Sequence, residues 1–188
     1  MELKGERLLA ADRATAWAAL NDIEVLQRCV PGCESFVATG ENQYEVQMTA
    51  AVGPVKSKFK GRIELKALDA PNGYTMVFDG TGGMAGFARG DAQVALQAID
   101  AGSTRLSYVV NAHVGGKLAQ VGSRLIDAAA GAMSDKFFEA FGAQLAARVP
   151  GGAPAAAAPT APTAPPPAAG FGLWSLLVAF FRRLFARR

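Results

Sequence analysis

The chain has 188 residues, 51% of them hydrophobic and 19% charged, which is enough apolar material for one ordinary core plus appendages. Its 19 Lys and Arg exceed its 16 Asp and Glu, but Arg182, Arg183, Arg187 and Arg188 stand at the C-terminal end while every acid lies at or before Glu139; taking those four from the 19 leaves 15 bases in the body. The basic excess therefore belongs to the tail, and a near-neutral body removes most of the case for nucleic-acid binding, which wants a basic stripe on the domain itself.

Met1 runs directly into polar residues with no apolar leader, so the chain is expected in the cytoplasm. Residues up to 9 read as a first strand. Asp12 is placed as the N-cap of a helix over 14–20 that turns Trp17 and Leu20 inward. Asn21-Asp22 interrupts it, and a second short helix covers 23–29 until Pro31-Gly32 stops it. Cys29 and Cys33 flank that stop. Two thiols with no nearby histidine fall short of the four ligands of a closed zinc site, so they are read as reduced, buried thiols and no metal site is expected.

Six extended segments follow, over 34–38, 43–52, 55–67, 74–81, 87–98 and 104–114, separated by turn residues such as Gly53-Pro54, Pro71-Asn72-Gly73 and Ala101-Gly102. A two-residue period is plain in Tyr44/Val46/Met48 and in Leu106/Tyr108/Val110. One apolar and one polar face is the pattern of an antiparallel sheet covered on one side. The same period puts Lys56, Lys58, Lys60 and Arg62 on one strand face. The glycine-rich stretch 80–86 has no P-loop lysine and no following helix, and reads as a flexible connection at a cavity mouth. The sole histidine, His113, alternates with Asn111 and Ser107 opposite Tyr108. With no Gly-x-Ser-x-Gly elbow, His-Glu-x-x-His or Cys-x-x-Cys pair, no catalytic residue is assigned.

From 118 to 148 the period becomes helical. Bulky Val121, Leu125 and Ile126 precede the small run Ala128-Ala129-Ala130-Gly131-Ala132, and bulk returns at Met133, Phe137, Phe138, Phe141 and Leu145. Small side chains in mid-helix either let backbones approach closely or leave room beneath the helix. Strand, two short helices, six strands and a long helix is the helix-grip (START-like) order. The expected fold is therefore α+β, an antiparallel sheet wrapped around the C-terminal helix, over residues 1–149.

Residues 150–170 are almost wholly Pro, Ala, Gly and Thr, a linker that reaches up to roughly 60 Å at ~3.1 Å per residue. Residues 171–188 open with an apolar run too short for the ~20 residues of a spanning helix. On a helix, Leu173, Trp174, Leu177, Val178 and Phe181 share a face, with Arg182, Arg183, Arg187 and Arg188 following. The segment is read as an interfacial anchor, its apolar face in the bilayer and its arginines on anionic lipid.

Several stretches carry a likeness to a known family: Val30-Pro31-Gly32-Cys33-Glu34, the run from Val52-Gly53-Pro54 to Lys60-Gly61, Gly86-Phe87-Ala88-Arg89-Gly90, Gly115-Gly116-Lys117-Leu118-Ala119-Gln120 with the residues to Arg124, and Phe137-Phe138. The sequence resembles the CoxG family, the G-subunit family of carbon monoxide dehydrogenase, in the START-like (SRPBCC) superfamily. The resemblance implies a non-catalytic accessory protein that brings a molybdenum-containing CO dehydrogenase-type hydroxylase to the cytoplasmic face of the inner membrane. It also implies an apolar ligand cavity and no tightly bound cofactor. A lipid or respiratory quinone is the expected hydrophobic ligand, linking the enzyme's electrons to the membrane. The alternatives are a START-like enzyme on a hydrophobic small molecule and a lipid-binding protein with no enzyme partner.

Within that expectation the sheet walls of the cavity are assigned to Phe78, Phe87, Leu96 and Tyr108, and its helical roof to Leu125, Ala129 and Ala132. The volume is expected in the hundreds of Å³. Lys56, Lys58, Lys60 and Arg62 are assigned to contact with an acidic surface of the hydroxylase.

Overall fold

The computed structural model describes residues 1–148. The elements are β1 (Glu2–Leu9), α1 (Arg13–Leu20), α2 (Ile23–Cys29), β2 (Cys33–Gly40), β3 (Gln43–Val52), β4 (Val55–Asp69) and β5 (Gly73–Thr81). A 3-10 turn at Gly83–Ala85 leads to β6 (Phe87–Asp100), β7 (Ser103–Gly115), α3 (Lys117–Gln120) and α4 (Ser123–Arg148). The strands form one antiparallel sheet in the order β1-β7-β6-β5-β4-β3-β2. Every neighbour except the β1–β7 pair is joined by a short connection, and β1 closes on β7 after the chain has crossed the sheet once. This is the START-like α+β arrangement expected from the element order.

The two short helices start where their caps require. The Asp12 carboxylate accepts from the Thr15 backbone N–H at 3.0 Å and from its hydroxyl at 2.6 Å, which holds the Asp12 carboxyl below its ordinary range. Asp22 does the same for α2 through Glu24 and Val25. It also accepts from the Arg148 guanidinium, the first cause of its own lowered pKa, and so joins the start of α2 to the end of α4.

The packed core lies at one end of the sheet. Ala16, Ala19, Leu20, Val25 and Cys29 from α1 and α2 meet Leu96 and Leu106 from β6 and β7, with Phe141 and Leu145 of α4 laid over them. Thr104, also buried there, donates its hydroxyl to the Ala11 carbonyl at 2.9 Å, which satisfies the one polar side chain in that core.

Two expectations need correction. The helix expected over 118–148 is broken: α3 stops at Gln120, Gly122 takes φ +90° and α4 begins at Ser123. That conformation is disfavoured for residues with a Cβ, so the glycine is where the chain turns. The stretch 80–86 is also not all connection, since Gly80 and Thr81 complete β5 and residues 83–85 form the 3-10 turn. The segments read as linker and anchor, 150–170 and 171–188, lie outside the described residues, and so do Leu173 to Arg188 of the anchor assignment.

Candidate functional site

Strand parity decides which side chains face α4. On β3 to β7 the inner set includes Tyr44, Val46, Ile63, Met76, Val94 and Tyr108, and these line two adjoining apolar cavities under the helix. The first, about 320 Å³, is walled by the aromatic rings of Phe36, Tyr44, Tyr74, Tyr108, Phe137 and Phe138, with aliphatic side chains between them. The second, about 400 Å³ and more open to solvent, lies under the N-terminal half of α4, against Val46, Met48, Phe59, Phe78 and Leu118. Val30, Phe36, Ile63 and Met76 line both.

The space exists because α4 is tied down mainly at its C-terminal end. Phe137 stacks on Phe141, which is fully buried, and meets Phe138 edge-on at 5.2 Å. Four residues earlier, Met133 is the α4 side chain that reaches the second cavity. Above it the helix carries only alanines and Gly131, too small to fill the gap left by a sheet that curves away.

The polar groups of the first cavity are hydroxyls. Tyr108 and Ser134 of α4 share a hydrogen bond of 2.9 Å, and the Tyr108 ring stacks on Phe138 at 5.6 Å. Gly5 on β1 makes that reach available: a Cβ there would stand 2.6 Å from the Tyr108 hydroxyl oxygen, so any larger residue would displace the ring. Tyr74 meets Trp17 edge-on at 5.8 Å, and burial pushes its phenol up to about 12. It is therefore a neutral donor throughout the physiological range. Among the described residues the Tyr44 and Tyr74 hydroxyls make no hydrogen bond but are not sealed off, since no fully buried side-chain polar atom lacks a partner, and no charged side chain lines the first cavity. Such a chamber accommodates a neutral, largely apolar molecule with an acceptor group for the phenols, and penalises an anion heavily.

The structure distributes the sequence-assigned residues as follows. Tyr108 walls the first cavity and Phe78 the second. Leu96 faces inward but is 4% exposed in the packed core and lines neither cavity. Phe87 has the opposite parity: it pairs with Gly115, packs on His113 at 5.9 Å and lies under the Arg89 guanidinium on the outer face. Leu125 is 47% exposed beside Gly53. Ala129 and Ala132 border a separate shallow cleft with Pro31, Gly32 and Thr49. The inner stripe of α4 instead runs through Met133, Ser134, Phe137, Phe138 and Phe141. Tyr44, Tyr74 and Ser134 were missed. Tyr44 was already in the apolar alternation, and a phenol at an inward position is the signal that marks a cavity donor.

Lys56, Lys58, Lys60 and Arg62 do share the outer face of β4, but two are already paired. Lys58 bridges Glu34 at 2.8 Å, holding that carboxyl below its usual range, and Lys60 bridges Glu45 at 3.0 Å. His113 lies on the same outer face, far from the hydroxyls of the cavity. The Cys29 and Cys33 thiols are both pushed up by burial, and Cys29 belongs to the core. Among the described residues no cluster of three or more His, Cys, Asp or Glu could hold a metal ion, and no helix is long and apolar enough to cross a membrane.

The model of the carbon monoxide dehydrogenase G-subunit (CoxG) family matches residues 5–146. No curated protein matches the chain. Among solved structures, a conserved protein from Geobacillus kaustophilus is 28% identical with a TM-score of 0.75, over 78% of this chain and 96% of that one. The Zhui aromatase/cyclase from Streptomyces sp. R1128 is 14% identical with a TM-score of 0.61, over 80% of this chain and 96% of its own. A START superfamily protein from Mycobacterium smegmatis is 11% identical with a TM-score of 0.61, over 79% and 99%. The last two likenesses concern the fold alone.

Proposed function

The chain belongs to the CoxG family of carbon monoxide dehydrogenase, and from that premise we propose that it is a non-catalytic accessory protein carrying a neutral hydrophobic ligand between the cytoplasmic membrane and a molybdenum-containing CO dehydrogenase-type hydroxylase. Membership implies an accessory component of a CO dehydrogenase. The carrier role is supported by one observation above the others, the phenol-lined apolar cavity of about 320 Å³ under α4. A respiratory quinone suits it, because its ring carbonyls are uncharged acceptors for Tyr44 and Tyr74 while an isoprenoid chain matches the apolar second cavity. Apolar burial supplies most of the affinity and the phenols set the orientation.

Recruitment to the inner face of the membrane rests on residues 171–188, whose apolar run and four terminal arginines have the composition of an interfacial anchor on anionic lipid. Lys56 and Arg62, which have no ion pair among the described residues, are the bases of the β4 face left to steer an acidic partner. A catalytic role is disfavoured by the placement of the one histidine on the outer face of the sheet, outside the cavity.

The test is organic extraction and mass spectrometry of the purified full chain beside a variant with the first cavity filled, Val110→Phe. A co-purifying quinone or lipid that vanishes in the variant is the expected result. Because the new ring enters existing space, its stability cost should fall below the ~1–3 kcal/mol of overpacking a dense core. An empty wild type, with severe destabilisation of the variant, would contradict the carrier role.

A further inference from the structure

The second cavity is lined from three chain segments that share one chemistry. Residues 49–60, 80–90 and 112–126 contain six bases and no Asp or Glu. The fold interlocks them. Ser57 donates its hydroxyl to the Gly82 carbonyl at 3.1 Å, Gly86 and Gly116 pack backbone to backbone, and a Cβ on Gly53 would stand 3.3 Å from Leu125. Val52, Ala88 and Leu118, one from each of the three segments, line the cavity itself. At the same end two large apolar side chains stand in solvent, Met84 at 84% exposure and Leu125 at 47%. Lys58 and Lys60 are held by Glu34 and Glu45. Lys117 and Arg124 make no ion pair among the described residues, and Arg124 directly precedes Leu125, with Asp127 the first acid further along α4.

Exposed apolar side chains beside unpaired bases, on segments that also line an apolar cavity, are the features of a surface that dips into an anionic bilayer. We infer that this end of the domain seats on the membrane, with Met84 and Leu125 entering the headgroup region and Lys117 and Arg124 on lipid phosphates. The cavity then opens toward the hydrocarbon, and a ligand passes between bilayer and protein without crossing water. An acidic protein surface would also meet the bases. The lipid surface is favoured because the exposed apolar groups are two isolated side chains, one on the 3-10 turn and one in the first turn of α4, instead of a flat patch, and because the segments that carry them also line the cavity.

This seat is separate from the tail anchor and rests on the reading that the cavity holds a membrane-derived ligand. It is tested on the full chain carrying Cys33→Ser and Met84→Cys, labelled at Met84→Cys with an environment-sensitive fluorophore. Leu125→Cys serves as a second labelling position. Phosphatidylglycerol–phosphatidylcholine vesicles with doxyl-lipid quenchers should blue-shift and quench both labels, and Lys117→Gln with Arg124→Gln should lower the quenching severalfold. Vesicle-bound protein with labels still in water would overturn the seat while leaving the tail anchor standing. Labels that respond to the purified hydroxylase but not to vesicles would overturn it in favour of a protein contact. Quenching by vesicles without any co-purifying ligand would uphold the seat and sink the carrier reading alone.

Discussion

Tyr74 is the residue on which the chemistry of the cavity turns. Its phenol is pushed up to about 12 by burial, with the neighbouring Tyr44 adding to the shift. In the unfolded chain it titrates near 10, so the folded form holds its proton more tightly between the two values. The stability this represents is fully present below about pH 10 and is lost as pH rises toward 12, by about 2–3 kcal/mol at most. Denaturant melts at rising alkaline pH should show that decline in the wild type and a flatter one in Tyr74→Phe. The same variant at neutral pH should keep the fold and weaken retention of an acceptor-bearing ligand. Equal alkaline profiles would mean that Tyr74 is solvated and no cavity donor.

At the scale of elements, the ends of α2 and α4 depend on one carboxylate. Asp22 caps α2 and accepts from Arg148, which lowers its pKa. Its contribution is therefore present above the ordinary carboxylate range and disappears as pH falls through the folded value. Asp22→Ala should cost about 1–2 kcal/mol, and Asp22→Asn less, since the amide oxygen still caps the helix. A thermal melt with Asn no better than Ala would assign the stability to the ion pair instead of the cap.

The elements were also the most legible part of the fold. Turn residues and the two-residue period located all seven strands, because Gly53-Pro54 or Pro71-Asn72-Gly73 leaves the chain few conformations other than a reversal. Facing was less legible. β6 opens with small Ala88 and Gly90 inside and Phe87 outside, an inversion of the usual burial that hydropathy cannot detect. The phase of α4 was hidden for a related reason. Across 128–132 every position is alanine or glycine, so hydropathy does not distinguish the sides. Contacts of Met133 and Phe137 further along decide which side faces the sheet. The break at Gly122 was invisible because a single glycine within a helical period is tolerated.

For the whole molecule, the proposed adaptor divides its work between domain, linker and tail. The domain offers a cavity for cargo, residues 150–170 would give reach, and residues 171–188 would hold the membrane. The gross attraction of such a tail is on the order of 10 kcal/mol before ordering costs, from ~1.5–3 kcal/mol per buried large apolar side chain and ~1 kcal/mol per arginine. It should weaken with salt, since the arginine contribution is screened. The measurement that bears most directly on the adaptor role is flotation of the purified hydroxylase with anionic vesicles, with and without this protein. The enzyme should float only when the full chain is present. It should remain at the bottom with a chain lacking residues 171–188, and float less when Lys56→Glu and Arg62→Glu are introduced together. Flotation of the hydroxylase without this protein would contradict recruitment by this chain, and undiminished flotation with the tail deleted would contradict the tail as its anchor.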